Sequence, residues 1–264
     1  MDGLLITILI VTGFLVYKMI SSSRKQEGYK RWKATGSGDT ANEETAGNKW
    51  KHGAWLRHAL GVTTPKARTY PVFDEEAVVW CAGLLGVEAV RLKEILQDVS
   101  SHYREFWIRK RKGGYRMISA PDKELKSIQD TIYHRILLPV NVHPVATGFR
   151  RQHSIVDNVR PHLGKRCVLK TDIHDFFLSI RSPRVKQTFE NIGYPKNISK
   201  VLGELCCRRR HLPQGASTSP ALSNIIAYEM DRKLAAMAEE FGLAYTRYAD
   251  DLTFSGDVFP KEQV

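Results

Sequence analysis

The sequence predicts an α+β fold, in which helices and strands are mixed rather than arranged in repeated strand–helix–strand units. Three observations support this class. Several segments carry apolar residues at helical spacing, shorter segments alternate in the manner of strands, and the two kinds follow one another irregularly. The 264 residues, 42% of them hydrophobic, suffice for one large domain or two small ones and exclude a wholly disordered chain.

The first elements are two helices and a hairpin. Acidic residues at 74–76 begin one helix, which Gly83 and Gly86 are expected to break. A second helix starts near Glu88, and its predicted buried side consists of Val90, Leu92, Ile95, Leu96 and Val99. Strands at 106–108 and 115–118 then flank the turn RKRKGG.

The later elements surround a predicted strand at 167–173. Pro121 is expected to open a helix before it, and a helix from Pro183 to Gly193 follows it. Ser219-Pro220 then predicts the start of one long helix that ends at Gly242. Residues 244–255 alternate as a hairpin that bends at 249–251.

The charge of the chain favours a nucleic-acid partner. The formal net charge is +12, and residues 101–170 alone hold fifteen basic against five acidic side chains. The same block contains Tyr103, Phe106, Trp107, Tyr115 and Phe149. Cations mixed with aromatic rings suit a phosphate backbone with bases nearby, although a solvated basic face would look the same.

Four cysteines exclude a disulfide scaffold and a zinc ribbon, because none forms a C-x2-C pair. We expect Cys81, Cys167, Cys206 and Cys207 to be reduced packing residues.

The N-terminus predicts a membrane anchor within residues 1–23. Residues 4–20 are mostly apolar and basic residues follow them, which would leave the catalytic domain in the cytoplasm. The alternatives are an interfacial helix, a partner-binding helix or a misassigned start codon. In these cases the protein would be cytoplasmic. Residues 24–72 predict a basic polar linker, and the folded domain is expected over 73–264.

Three carboxylates are candidates for chemistry. Asp172 ends an apolar strand, while Asp250 and Asp251 lie at the tip of the last hairpin. Like charges about 4 Å apart repel by about 4 kcal/mol at an effective dielectric near 20, so converging carboxylates normally need a cation. Oxygen ligands with open positions suit Mg²⁺, although an adjacent Asp pair alone is more often a solvated turn.

Four segments together resemble the motifs of reverse transcriptases. The tetrad 248–251, Tyr-Ala-Asp-Asp, is similar to the catalytic tetrad, and 172–180 and 212–224 are similar to the first and second palm motifs. Arg116, in KGGYRMISAP, resembles the fingers arginine that meets the triphosphate. The motifs occur in the family's order and span roughly residues 100–256.

Within that family the chain most resembles bacterial retron enzymes. Residues 147–155 and Asn158-Val-Arg-Pro-His162 are similar to retron signatures, with Val159 where alanine is usual. The resemblance implies the fingers and palm of a right-hand polymerase behind an N-terminal apolar helix. A thumb should follow residue 251, and its Val-Thr-Gly triplet is absent there, so we expect an incomplete polymerase without a thumb.

The resemblance implies RNA-directed DNA synthesis from dNTPs with two Mg²⁺ ions, primed from a 2′-hydroxyl of a structured RNA template/primer. It also implies antiviral defence and a possible effector protein partner. A group II intron maturase-like enzyme, another defence polymerase and a non-catalytic RNA-binding relic are the alternatives.

The resemblance assigns roles to individual residues. Asp172, Asp250 and Asp251 would be catalytic and would bind the metals together with the carbonyl of Ile173. The expected nucleotide-binding residues are Lys112, Arg116, Phe177, Gln214, Gly215 and Tyr248, with Phe176 facing the core. The expected RNA-binding residues are Arg150, Arg151, Asn158 and His162.

Overall fold

Helices and short strands follow one another irregularly, which confirms the α+β class. A computed structural model describes residues 72–110 and 113–258. Its helices are α1 Glu75–Leu85, α2 Ala89–Gln97, α3 Lys123–Ile132, α4 Ile155–Val159, α5 Phe176–Ser179, α6 Ser182–Ile192, α7 Lys196–Leu205, α8 Ser219–Ile226 and α9 Tyr228–Glu240. Its strands are β1 Tyr103–Arg109, β2 Tyr115–Pro121, β3 Cys167–Asp172, β4 Ala244–Tyr248 and β5 Asp251–Gly256.

The strands form two separate antiparallel sheets in the described residues. β1 and β2 pair as the predicted hairpin, with Arg109 opposite Tyr115 next to the turn. The second sheet has the order β3-β5-β4, so β5 lies in the middle. Because β4 and β5 are joined only by residues 249 and 250, the tight bend between them lies beside the end of β3.

Apolar side chains form a large core and a smaller one. The large core joins α1, α2, α3, α6, α7 and α8, and includes Leu92, Leu125, Phe189, Leu202 and Leu222. The smaller cluster lies against the three-stranded sheet, where Tyr245 and Phe254 stack with ring centroids 4.7 Å apart. Cys81, Cys206 and Cys207 are buried and Cys167 is half-buried, all as free thiols, which agrees with their predicted packing role.

Three predictions about helices are wrong. Gly83 does not break α1, which continues to Leu85 and ends at Gly86 in the left-handed conformation (φ 71°). Val90 was expected on the buried side of α2, but its side chain is 70% exposed. The long helix predicted from 219 to 242 is two helices, α8 and α9, separated at Ala227.

Pro121 does not open a helix as predicted, whereas Pro195 lies at the start of one. Pro121 is the last residue of β2, and α3 begins after Asp122, whose carboxylate accepts a hydrogen bond from the Leu125 N–H at 2.9 Å. Pro195 separates α6 from α7, a helix that the sequence analysis did not predict. The helix α6 has already ended at Gly193, which is in the left-handed conformation (φ 118°). Proline lacks an amide proton but fits the start of a helix, which suits Pro195 to its place just before α7.

The membrane-anchored localisation predicted from residues 4–20 is corrected. In the described part of the chain, no helix has both the length and the apolar composition needed to cross a membrane. The apolar segment itself and the predicted linker 24–72, except for Val72, lie outside the described residues. We therefore withdraw the anchor and base nothing further on it.

Candidate active site

The three-stranded sheet brings the predicted carboxylates to one edge. Asp172, the last residue of β3, lies directly opposite Asp251, the first residue of β5, and Tyr248 at the end of β4 also pairs with Asp251. The Ile173 N–H donates a hydrogen bond to the carbonyl of Asp250 at 2.7 Å. Two sequence segments that are far apart along the chain are thereby held side by side by backbone pairing.

The bend that carries Asp250 has an unusual backbone. Ala249 has φ 59°, in the left-handed region that costs a residue with a side chain about 1–2 kcal/mol. Gly148 packs against this bend so closely that a Cβ there would lie 2.5 Å from the Ala249 nitrogen. The position of Asp250 is therefore fixed by a strained turn and by a glycine that permits close backbone approach.

Burial and neighbouring like charges both disfavour the charged form of Asp250. Burial raises the pKa of Asp250 above its usual value, and the carboxylates of Asp251 and Asp172 raise it further. A backbone hydrogen bond and the guanidinium of Arg116 oppose these effects. Lys170 Nζ lies 3.2 Å from Asp251 Oδ2 and supplies a second positive charge at the site. A bound cation would relieve the remaining repulsion.

The donor atoms at this edge suit a divalent metal, but they do not form a closed cage. Carboxylate and carbonyl oxygens are the ligands that Mg²⁺ prefers, and it commonly uses one or two carboxylates plus substrate phosphates. Among residues 72–110 and 113–258, no group of three or more His, Cys, Asp or Glu side chains converges closely enough to hold a metal ion. The chemistry of the donors fits Mg²⁺, and the remaining ligands would come from backbone and substrate.

Three of the predicted nucleotide-binding residues, Arg116, Gln214 and Gly215, lie on β2 and on the loop that contacts it. Arg116 is exposed on β2, and its positive charge acts to lower the pKa of Asp250. The Ser119 N–H of the same strand donates to the carbonyl of Gln214 at 2.7 Å. Gly215 has φ 131°, and a Cβ there would lie 2.7 Å from the Ser119 carbonyl oxygen. Lys112 lies outside the described residues.

The two adjacent phenylalanines of α5 differ in burial, as predicted. Phe176 is 6% exposed and belongs to the core. Phe177 is half-buried, with its ring centroid 5.9 Å from that of Phe149 and 5.8 Å from that of Phe176. The Phe177 ring therefore has an accessible part, four residues after Ile173 along the chain.

The four predicted RNA-binding residues divide into two groups. Arg151 is exposed, whereas Arg150 is half-buried and its Nη1 donates to the Ala146 carbonyl at 3.2 Å. Asn158 is 8% exposed and accepts a hydrogen bond from the Thr147 hydroxyl at 2.9 Å. This hydrogen bond is internal to the protein, and the predicted role of Asn158 in RNA binding remains a prediction.

Both ring nitrogens of His162 are engaged within the protein. Nδ1 lies 2.6 Å from the Ser255 hydroxyl of β5, and Nε2 lies 2.8 Å from the Thr246 hydroxyl of β4. Burial lowers the pKa of His162 below its usual value. The histidine thus ties the segment after α4 to the two strands that carry the bend, and its predicted role in RNA binding remains a prediction.

A buried polar cluster behind the bend was missed by sequence reasoning. The side chains of Arg247 and Asp231 are both 0% exposed and form an ion pair with Nη2 2.6 Å from Oδ2. A signal was present, because alternation along β4 places Arg247 on the same face as Tyr245. Asp231 likewise interrupts the apolar stripe of α9, between Met230 and Leu234.

Comparison with known proteins identifies the class to which this fold and site belong. A family model described as reverse transcriptase (RNA-dependent DNA polymerase) matches residues 108–261, which is more than half of the chain. The matched range includes Arg116 and all three carboxylates. The chain therefore belongs to the reverse transcriptase family.

Individual relatives narrow the class to the bacterial retron type. The retron Ec86 reverse transcriptase of Escherichia coli is 37% identical over 179 residues, covering 67% of this chain and 55% of that protein. The retron Mx65 reverse transcriptase of Myxococcus xanthus is 39% identical over 174 residues, covering 59% of this chain and 41% of that protein. The retron Mx162 reverse transcriptase of the same organism is 32% identical over 255 residues, covering 88% of this chain and 52% of that protein. The chain spans about half the length of these relatives.

Proposed function

We propose that the chain provides the fingers and palm of an RNA-directed DNA polymerase of the retron type, which copies a structured RNA into DNA from dNTPs. The pairing of Asp172 with Asp251, with Asp250 in the adjoining bend, carries this proposal. Family membership supports the reaction class, and the net charge of +12 suits a nucleic-acid substrate.

In this proposal Asp172, Asp250 and Asp251 hold two Mg²⁺ ions together with the carbonyl of Ile173. Bound Mg²⁺ would activate the attacking hydroxyl of the primer and stabilise the leaving oxygen of an in-line displacement. The protein's own contribution is to fix the oxygens at one sheet edge and to exclude alternative arrangements by the pairing of β3 with β5.

The neighbouring residues would bind the incoming nucleotide. The planar fork of Arg116 suits triphosphate oxygens, and Lys112 would assist it. Gln214, Gly215 and Tyr248 would border the nucleotide, where the absence of a side chain at Gly215 permits close approach to β2.

The template is proposed to be a structured RNA that also supplies the priming 2′-hydroxyl. Arg150, which is half-buried, and Arg151, which is exposed, would contact its phosphates within the basic block 101–170. A role in antiviral defence with an effector protein is proposed from the retron type alone.

The test is extension of an RNA template–primer by the protein expressed from its complete reading frame, with dNTPs and Mg²⁺. A DNA product that Asp250→Asn abolishes is the expected result. Salt-sensitive RNA binding without any DNA product would contradict the proposed polymerase activity. It would favour a non-catalytic RNA-binding protein instead.

A further inference from the structure

The bend at Ala249 is backed by a buried bidentate ion pair. Arg247 Nε donates to Asp231 Oδ1 at 2.8 Å and Nη2 donates to Oδ2 at 2.6 Å, while the Tyr245 hydroxyl donates to Oδ1 at 3.0 Å. Neither charged side chain has any exposed surface. Such a pair is tolerated in a protein interior only when its geometry is good and its remaining hydrogen-bonding capacity is satisfied.

The nitrogen of Arg247 that Asp231 leaves free contacts the bend itself. Nη1 donates to the Ala249 carbonyl at 2.9 Å and to Asn224 Oδ1 at 3.0 Å. Asn224 Nδ2 in turn donates to the Gly148 carbonyl at 2.8 Å, and Gly148 packs directly against Ala249. The cluster therefore surrounds the strained residue that immediately precedes Asp250 from two sides.

Stability alone does not account for this arrangement. Replacing a buried ion pair by well-packed apolar residues is often neutral or stabilising, so the charges contribute little that an apolar core would not. A guanidinium offers donors in a rigid planar fork, and here one edge of the fork is fixed by Asp231 while the other reaches the Ala249 carbonyl. The ion pair with Asp231 therefore fixes the direction in which the guanidinium of Arg247 meets the Ala249 carbonyl.

We propose that Arg247, held by Asp231 and Asn224, is a positioning residue that fixes the bend and thereby sets Asp250 and Asp251 for divalent-metal binding. The inference rests on the proposed function for the identity of the site. Arg247 touches neither metal nor substrate and would act through the backbone of Ala249.

The experiment uses the full chain with Arg247→Lys, which keeps the charge but cannot bond Asp231 and Ala249 through a fork. Hydrogen exchange followed by mass spectrometry reports on the amides of 248–252, and electron paramagnetic resonance reports the binding of Mn²⁺. We expect faster exchange confined to the bend and Mn²⁺ affinity weaker by about tenfold or more, the usual range for residues that orient metal ligands.

A matched variant separates positioning from general stability. Val201→Ala removes buried volume from α7, where the side chain is 0% exposed, and should lower the melting temperature without changing either readout at the bend. Equal effects of Val201→Ala and Arg247→Lys on exchange and Mn²⁺ affinity would overturn the inference, as would unchanged readouts in Arg247→Lys.

A second variant tests the inference in case Arg247→Lys fails to fold. Asn224→Ala keeps the ion pair but removes the contacts to Arg247 and Gly148, and it should also speed exchange at the bend; unchanged exchange would overturn the inference. If the unmutated chain binds no Mn²⁺, the proposed metal site fails, whereas exchange at 248–252 still decides whether Arg247 positions the bend.

Discussion

Asp172 lies directly opposite Asp251 in the register that joins β3 to β5. Side chains of directly opposed residues on paired strands project to the same face, so the two carboxylates share one face at the sheet edge. A slip of one residue would move one of them to the other face. The backbone register of this sheet is therefore a condition for the proposed chemistry.

Asp250→Asn should abolish DNA synthesis while leaving RNA binding intact. The amide is similar in size but cannot supply a charged oxygen, so extension should fall by at least about 100-fold, which corresponds to about 2.7 kcal/mol of lost transition-state stabilisation. The measurement is primer extension beside RNA binding. Asp257→Asn, the same change at an exposed residue beyond the other end of β5, is the control and should extend normally. Extension by Asp250→Asn at the unmutated rate would remove Asp250 from the site.

Local pattern was enough to predict the carboxylate hairpin and the β1–β2 hairpin. Both consist of segments adjacent in sequence, where alternation and turn residues decide the structure. Pattern was not enough at Val90, whose helical spacing fits the buried side although its side chain is exposed. The apolar stripe also continues through Ala227, so the pattern does not reveal that α8 and α9 are separate helices. These outcomes depend on tertiary packing, which spacing does not record.

Gly148→Ala should displace the bend and impair extension. The added Cβ would lie 2.5 Å from the Ala249 nitrogen, and its nearest neighbours are all backbone atoms of Tyr248 and Ala249, so no flexible side chain can move aside. We expect at least about tenfold slower extension, or about 1.4 kcal/mol, together with a loss of stability of about 1–3 kcal/mol from overpacking. Extension kinetics and thermal unfolding check both.

The matched control is Gly83→Ala, because Gly83 lies within α1 and nothing lies within 4 Å of a Cβ there. That variant should be more stable by about 0.5–1 kcal/mol and should extend normally. Normal extension by Gly148→Ala would show that the bend does not need close contact at this position.

The internal contacts of the signature residues Asn158 and His162 could not be predicted from the motif alone. A motif reports which residues belong together, but not whether a side chain faces a ligand or the interior. Here Asn158 is buried against Thr147, and His162 bridges Ser255 and Thr246. The burial and ion pair of Arg247 could not be predicted from local pattern either, because its partner Asp231 lies on another element.

The contribution of His162 to stability should depend on pH. Burial lowers its pKa in the folded state, so the unfolded chain binds the proton more readily, and stability from this residue is fully present above the unfolded pKa of about 6.5. It is lost as pH falls through the folded-state value. Compared with His162→Gln, the unmutated chain should be more stable at pH 8, and the difference should narrow toward pH 5. Urea unfolding at several pH values measures it; a constant difference would contradict the assignment.

Arg151→Ala should weaken RNA binding and reduce its dependence on salt. Each phosphate contact releases counterions, so losing one should make the slope of log affinity against log salt concentration less steep by about 0.7–0.9. Arg232→Ala is the control, because Arg232 is an exposed arginine of α9 that is paired with Glu229 and lies outside the block 101–170. Equal slopes for Arg151→Ala and the unmutated chain would exclude Arg151 from the RNA footprint.

Phe177→Ala should relax the choice of sugar in the incoming nucleotide. The half-buried ring follows the loop that places Ile173 and lies against Phe149, so its free part can pack beneath a deoxyribose. A rigid ring there would leave no volume for a 2′-hydroxyl, and discrimination by such a clash is removed when the side chain is shortened. Ribonucleotides should then be incorporated at least about tenfold better relative to deoxynucleotides, a change of about 1.4 kcal/mol in relative barrier.

Phe176→Ala provides the comparison, because Phe176 is the neighbouring ring but belongs to the core and lies 5.6 Å from the guanidinium carbon of Arg247. Truncating a buried phenylalanine costs about 3–5 kcal/mol, so this variant should melt at a lower temperature with its sugar preference unchanged. Single-nucleotide insertion with both substrates and a thermal melt on each variant distinguish the two roles. If Phe177→Ala lowered the melting temperature as Phe176→Ala does and kept the original sugar preference, Phe177 would be a core residue as well.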